Sequence, residues 1–549
     1  MCATSTEVDM AYKPSLDPIL YTDAAEDVDV RYMAQMREQD QAPTPTDHSL
    51  PRMTLVVGPS PFSMPRGWEF FLTSPYEGVT YIATVLHNAG YPVRIVDVRY
   101  DPTPLETALR ECAHDTDVLG LATFEDNYPF CEGLIAGMKA RRPDVPVILG
   151  GSLVTSVPHI FMNETKADVS VISEGEITIL ELMDSYARGG WSKDLPKIRG
   201  IWYRDAAGRP QATRPRGQMP DLDSVPTMNL DLWPQSRGPG GLQPQIISSY
   251  SRGCKMDCSF CYRTTPQERV KSPEKLDREL SILKKRHGIE FVFFVDLTFS
   301  AHKRQTLEYC DVIKGHDIGW TCLTRNGDMS PEVAAAMAGA GCDIGLFGVE
   351  SLTPAALKQA RKGSTENMAN KAMRISQEAG MRYGGLTIVG LPGETAESLD
   401  HMAQWAESHR SITRVKYLSA MPGTQVYRQA VQSGIIRSEV EHLRWLSVEQ
   451  ALERDEFLNY NGLPDAVMRR AYKRIYDSYC EGPVMDFKHW PEHFAYYDPD
   501  PTPGREWRET FSSAGAVPAP STLAYRGLHP AGPGVTLAKA PAQRQAVHV

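Results

Sequence analysis

At 549 residues, with 42% hydrophobic and 23% charged side chains, the chain is long enough for about two to four domains with sizeable cores. A formal charge of −10 argues against nucleic acid or an anionic membrane as the main partner, and no apolar run approaches the ~20 residues of a membrane span. With no basic and apolar leader and with ten cysteines, too few for a disulfide scaffold in so long a chain, a cytoplasmic protein is expected.

Residues 1–50 are rich in Asp, Glu, Thr and Pro and predict a mobile extension. The run Met53 to Gly58 then reads as a strand, and Tyr76 to Gly90 has helical apolar spacing closed by a glycine. Further strands are predicted at 91–97, 118–122, 146–151 and 169–172, with helices near 128–140 and from Ile177. This alternation predicts a doubly wound parallel sheet over 51–200, whose ligands belong at the carboxyl ends of the strands. Three loops stand there: Thr123 to Tyr128 with Glu125, Gly150-Gly151-Ser152, and Ser173-Glu174-Gly175-Glu176. A Gly-Gly pair alone is as often a tight turn as a ligand cradle.

Residues 201–245 read as a hairpin and a Pro/Gly-rich linker. A strand at 246–250 leads into Ser251-Arg252-Gly253-Cys254-Lys255-Met256-Asp257-Cys258-Ser259-Phe260-Cys261, with cysteines at C-x3-C-x2-C spacing. Three thiolates so close can share one metal centre; on a [4Fe–4S] cluster they leave one iron open. Structural zinc wants a fourth ligand, and the next histidine, His287, lies beyond a whole helix that starts at Ser272-Pro273 and closes at Gly288. Strands follow near 290–295, 318–322, 343–348, 384–389 and 415–419, making six strands with intervening helices over 246–425. Residues 426–500 look helical and aromatic, and 501–549, rich in Pro, Ala, Gly and Ser, predict a disordered tail.

The cysteine spacing resembles the radical S-adenosylmethionine (SAM) superfamily, and the strand ends resemble its partial (β/α)6 barrel in order: Asp296, Cys322-Leu323-Thr324-Arg325, Gly348-Val349-Glu350-Ser351, Gly390-Leu391-Pro392-Gly393-Glu394 and Met421-Pro422-Gly423-Thr424. The α/β domain upstream, with its Gly150-Gly151 and Ser173 to Glu176 loops, resembles the cobalamin-binding domain of cobalamin-dependent radical SAM enzymes. The resemblance implies an N-terminal Rossmann-like cobalamin domain, the barrel and a helical C-terminal region. It implies cluster ligation by Cys254, Cys258 and Cys261, and SAM contacts at Phe260, Asp296, Arg325, Glu350, Ser351 and Gly390. Cobalamin contacts are implied at Gly150, Gly151, Ser152, Glu174, Gly175 and Glu125. No D-x-H-x-x-G loop occurs, so cobalt takes no histidine of that motif, and Arg66 and Trp68 are candidates for its lower face.

The activity so implied is methyl transfer from methylcobalamin to an unactivated carbon or phosphinate phosphorus of a small molecule. SAM cleavage at the open iron would generate the radical, and an electron donor such as flavodoxin or ferredoxin would reduce the cluster. The Ala/Arg/Gly/Pro-rich composition fits a high-GC bacterium; the resemblance implies a role in antibiotic biosynthesis, with the P-methyltransferase branch of phosphinothricin-type pathways as the expected relative. A cobalamin-dependent cyclase or ring-rearranging oxidase shares every motif. A methylthiotransferase would need three cysteines upstream, where only Cys112 and Cys131 stand. A cobalamin-binding sensor gives no reason for the cysteine loop.

Overall fold

The computed structural model describes residues 26–59, 74–99, 101–234, 245–265, 267–449 and 457–480. Arg66, Trp68 and the tail 501–549 lie outside them. Residues 26–50 depart from the expected mobile extension, because Asp27–Gln41 is a helix. Its Tyr32, Met33 and Met36 are buried, and its Asp29 accepts from Arg199 at 3.0 Å and also pairs with Arg216. At the other end Asp40 accepts from the Thr227 amide at 2.7 Å, Arg278 at 3.1 Å and Lys275 at 3.3 Å. A short helix gains most of its stability from packing. This one packs by three apolar side chains, the buried carboxylate of Asp29 and the partly buried carboxylate of Asp40.

The first sheet holds β1 (Met53–Val57), β2 (Val93–Asp97), β3 (Val118–Ala122), β4 (Val147–Gly150), β5 (Val169–Val171), β6 (Ile201–Arg204) and β7 (Pro210–Ala212), in the order β2-β1-β3-β4-β5-β6-β7. The first five pair in parallel, and their Val/Leu/Ile content suits strands covered on both faces. The hairpin β6–β7 does not stand apart as part of a linker. It extends the same sheet as an antiparallel edge, β6 against β5.

The second sheet, β8 (Gln245–Ser248), β11 (Phe291–Phe294), β12 (Gly319–Thr324), β13 (Cys342–Glu350), β14 (Arg382–Val389) and β15 (Ile412–Tyr417), is wholly parallel in sequential order. Successive βα units give that order, which is a barrel left open between β8 and β15. Ser272 caps the helix Pro273–His287 by accepting from the Lys275 amide at 3.1 Å, and Gly288 ends it at φ 64°. Phe291, Phe293, Ile344 and Leu346 form a small apolar cluster of their own with Ile247, Val295, Leu323 and Leu386. The C-terminal helix Asp465–Cys480 packs on Ala396–His409 and β15, where Tyr417 stacks on Phe457 and Tyr472. Between the two sheets lies a short ribbon, β9 (Ser251–Arg252) against β10 (Arg269–Val270), which encloses the cysteine loop. Among the described residues no helix is long and apolar enough to cross a membrane.

Candidate functional site

A cavity of about 620 Å³ lies where the carboxyl ends of the first sheet face the start of the barrel and the cysteine loop. One wall carries Glu125, Gly150, Gly151, Ser173, Glu174 and Gly175; the other carries Ile247, Ser251, Arg252, Gly253, Tyr262 and Val295. Of the residues expected at cobalamin, only Ser152 does not line it. Gly150 and Gly78 have open space where a Cβ would stand, so a bulky flat ligand can lie against the backbone. Gly151 is a glycine for a different reason. Its φ is 108°, and a Cβ would meet the Thr123 carbonyl at 2.5 Å.

The cavity combines an apolar floor, with Met53, Leu55, Val79, Ile82 and Ile148, and a few polar groups. The Ser173 Oγ and Glu176 Oε2 on its wall are buried with no partner among the described residues. Buried polar atoms ordinarily have partners, and the amide-fringed ring of cobalamin offers them. Burial raises the Glu125 carboxyl above its ordinary value, with Lys416 of β15 opposing that shift. The donors and the space therefore fit cobalamin.

Beyond the cavity, the cysteine loop is pinned by backbone. Ser259 donates its amide to the Ala360 carbonyl at 3.0 Å, and the Val426 amide donates to the Ser259 carbonyl at 3.2 Å. Cys254, Cys258 and Cys261 are each partly exposed. Burial raises the Cys258 thiol and pushes Cys261 up to about 12, so a bound metal centre is what would hold them as thiolates. No three metal-binding side chains among the described residues are placed to hold a single ion. A [4Fe–4S] cluster spreads its thiolates over separate irons and does not need that convergence.

Cations gather beside the thiols. Lys362 donates to Glu350 at 2.7 Å, Arg325 donates to the Lys362 carbonyl at 3.1 Å, and both favour the Cys258 thiolate. Glu350 sits at φ 62°, in the left-handed region, at the end of β13. Arg325 and Glu350 are thus brought together next to the cysteines, a charge pair suited to the carboxylate and ammonium of SAM. Lys362 completes the group and was not legible from the strand-end motifs.

Four expected SAM contacts have partners within the chain. Asp296 is buried and accepts from the Tyr250 amide at 3.1 Å and the Ser251 amide at 2.6 Å, fastening the turn from β8 to β9. Burial pushes its carboxyl up to about 7. Ser351 donates to Glu394 at 2.7 Å, and Glu394 also accepts from the Gly390 and Leu391 amides at 2.9 and 3.1 Å. Glu394 therefore fixes the β14 turn at which Gly390 and Ser351 meet. Phe260 packs in the apolar cluster that contains Ala356, Leu391 and Leu418.

The two domains meet through buried charges. Glu174 accepts from Arg252 at 2.9 Å and from Arg269 and the Met219 amide at 2.7 Å; Glu176 accepts from Arg252 at 2.6 Å. Burial would raise the Glu174 carboxyl, but the two arginines hold it below its ordinary value. Lys271 donates to Tyr81 and Glu279 at 2.8 Å and to the Ser249 carbonyl at 2.9 Å, while Glu77 accepts from Ser249. Arg252 and Glu176 stand inside the cysteine and Ser-Glu-Gly-Glu motifs. Their pairing across 76 residues has no local signal.

Residues 73–183 match the B12 binding domain and residues 248–406 the Radical SAM superfamily. An uncharacterised methyltransferase of Pyrococcus horikoshii is 28% identical over 77% of this chain and 92% of its own length. An anaerobic magnesium-protoporphyrin IX monomethyl ester cyclase of Rubrivivax gelatinosus is 26% identical over 60% and 64%. The cytidylyl-2-hydroxyethylphosphonate methyltransferase of Streptomyces wedmorensis is 24% identical over 71% and 82%. In fold, the chain is similar to the radical SAM methyltransferase TsrM of Kitasatospora setae, with a TM-score of 0.57 and 17% identity over 70% of this chain and 77% of that one.

Proposed function

We propose that this chain, with its B12 binding and Radical SAM matches, is a cobalamin-dependent radical SAM methyltransferase that methylates an unactivated centre, phosphinate phosphorus or carbon, of a small molecule in natural-product biosynthesis. The observation that carries this reading is one cavity bordered on one side by Gly150, Gly151 and Ser173 and on the other by the stem of the cysteine loop. When bound, cluster and SAM supply a radical and cobalamin supplies the methyl group. The protein's own part is to place the two within reach of one substrate and keep water out. Glu350, Lys362 and Arg325 would orient SAM, with Cys254, Cys258 and Cys261 on the cluster. Ser173, Glu176, Gly150 and Gly151 would receive the corrin edge. A one-electron donor such as flavodoxin or ferredoxin would reduce the cluster.

The phosphonate-methylating relative supports phosphorus or a phosphorus-bearing acceptor as the first class to test. Products from phosphinate and amino-acid candidates, analysed by mass spectrometry after anaerobic turnover, decide between them. A gain of one methyl on the phosphinate is expected; methylation confined to carbon acceptors rejects the phosphorus branch. The second reading, a cyclase or oxidase without methyl transfer, is favoured by the cyclase relative. It predicts 5′-deoxyadenosine during turnover without S-adenosylhomocysteine.

A further inference from the structure

The cysteine loop is closed at its base by the ribbon β9–β10, in which Arg252 and Arg269 are direct cross-strand partners. Like charges so placed destabilise a ribbon. Here both guanidiniums reach the same carboxylate in the other domain. Glu174 Oε1 takes Arg252 at 2.9 Å and Oε2 takes Arg269 at 2.7 Å. Glu176 takes the second arm of Arg252 at 2.6 Å, and the Tyr81 ring lies 5.3 Å from the same guanidinium. The four charged side chains are buried or nearly so, none more than 17% exposed. One residue on, the stem is pinched. A Cβ on Gly253, at φ 84°, would meet the Gln267 carbonyl at 1.9 Å, so the two sides of the stem lie backbone against backbone there.

Cys254 follows directly. The position of the first thiol is therefore referred, through this stem, to a loop of the first domain that also borders the cavity with Ser173 and Gly175. We propose that Glu174, assisted by Glu176, is a positioning residue that sets the cluster loop against the cobalamin domain, so that the cluster's response to SAM depends on a carboxylate in the other domain. The proposal rests on the two-cofactor reading above. Neutralising Glu174 leaves two facing guanidiniums in a buried stem without their shared counter-charge; they part, and Cys254 moves with them. A structural bridge away from the stem provides the control. Arg444 donates to Glu132 at 2.7 Å, joining the C-terminal region to the helix Tyr128–Arg141.

The test compares full-length wild type with Glu174→Gln, Glu176→Gln and Glu132→Gln, each reconstituted anaerobically with iron, sulfide and hydroxocobalamin. Iron and cobalamin contents are measured, and electron paramagnetic resonance spectra of the dithionite-reduced cluster are recorded without and with SAM. The expected result is wild-type iron content throughout, with the SAM-induced spectral shift diminished most in Glu174→Gln, less in Glu176→Gln and unchanged in Glu132→Gln. If Glu174→Gln does not fold, Glu176→Gln, which leaves Glu174 in place, carries the comparison. Spectra of both stem variants that superimpose on wild type overturn the proposal, as does an equal effect in Glu132→Gln. A wild-type chain that takes up no cluster overturns instead the cofactor reading on which the proposal stands.

Discussion

Replacing Lys271 by methionine probes the contact between the domains with little change in shape. The lysine is 3% exposed and donates to Tyr81 and Glu279 at 2.8 Å and to the Ser249 carbonyl at 2.9 Å. Burial works against its ammonium, yet Glu279, Tyr81 and Glu77 raise its pKa above the ordinary value. Methionine keeps most of the apolar stem, so the loss is electrostatic. Glu279, 5% exposed, would be left with Lys275 at 3.6 Å, and the half-buried Glu77 would lose a nearby cation. Breaking one side of a buried pair costs about 3–5 kcal/mol, a large part of the ~5–15 kcal/mol by which domains are stable. Urea unfolding followed by circular dichroism, on Lys271→Met, Glu279→Gln and the double variant, measures it. The double variant should lose clearly less than the sum, because each single change strands the other partner. A loss below about 1 kcal/mol for Lys271→Met, the range of exposed pairs, would refute the buried lock.

Gly151→Ala forces a Cβ against Thr123 at a φ that disfavours side chains; about 1–3 kcal/mol of strain should move the loop and lower cobalamin uptake while iron content stays. Unchanged cobalamin uptake would remove Gly151 from that site. Asp296, held at about 7, contributes stability that is fully present below the ~3.9 of an unfolded aspartate and is lost as pH rises through 7. Asp296→Asn should flatten that part of the stability–pH curve, read as melting temperature from pH 5 to 8, and an unchanged slope would show that Asp296 does not titrate there. Asp40→Asn keeps an acceptor for the Thr227 amide but removes the charge facing Lys275 and Arg278, so about 1–3 kcal/mol should be lost in urea unfolding. An unchanged midpoint would mean the N-terminal helix is not bound through this carboxylate.

What could be read from the sequence was local. The cysteine loop, the Ser272 cap with Gly288, and most strands announce themselves within a few residues. The positive φ of Gly151 and Gly390 was likewise signalled by glycine itself. What escaped was paid for in distant contacts. The helix Asp27–Gln41 looked like a solvated acidic segment because its partners, Arg199 and Arg216, lie in another part of the chain. Glu394 stood in a quoted motif, but only the fold shows that it ties Ser351 to the Gly390 turn. Asp296, at the mouth of β11 as expected, accepts from the backbone amides of the β8–β9 turn, a pairing across 45 residues that no local pattern announces. Burial and pairing of this kind depend on the assembled sheet.

The most direct test of the central claim is anaerobic turnover of the reconstituted full-length chain with SAM, reductant and an accepted substrate, with Cys258→Ala alongside. Wild type should form both S-adenosylhomocysteine and 5′-deoxyadenosine as methylated product appears, and Cys258→Ala should form no 5′-deoxyadenosine. Turnover without S-adenosylhomocysteine, or SAM cleavage retained by Cys258→Ala, would contradict the account.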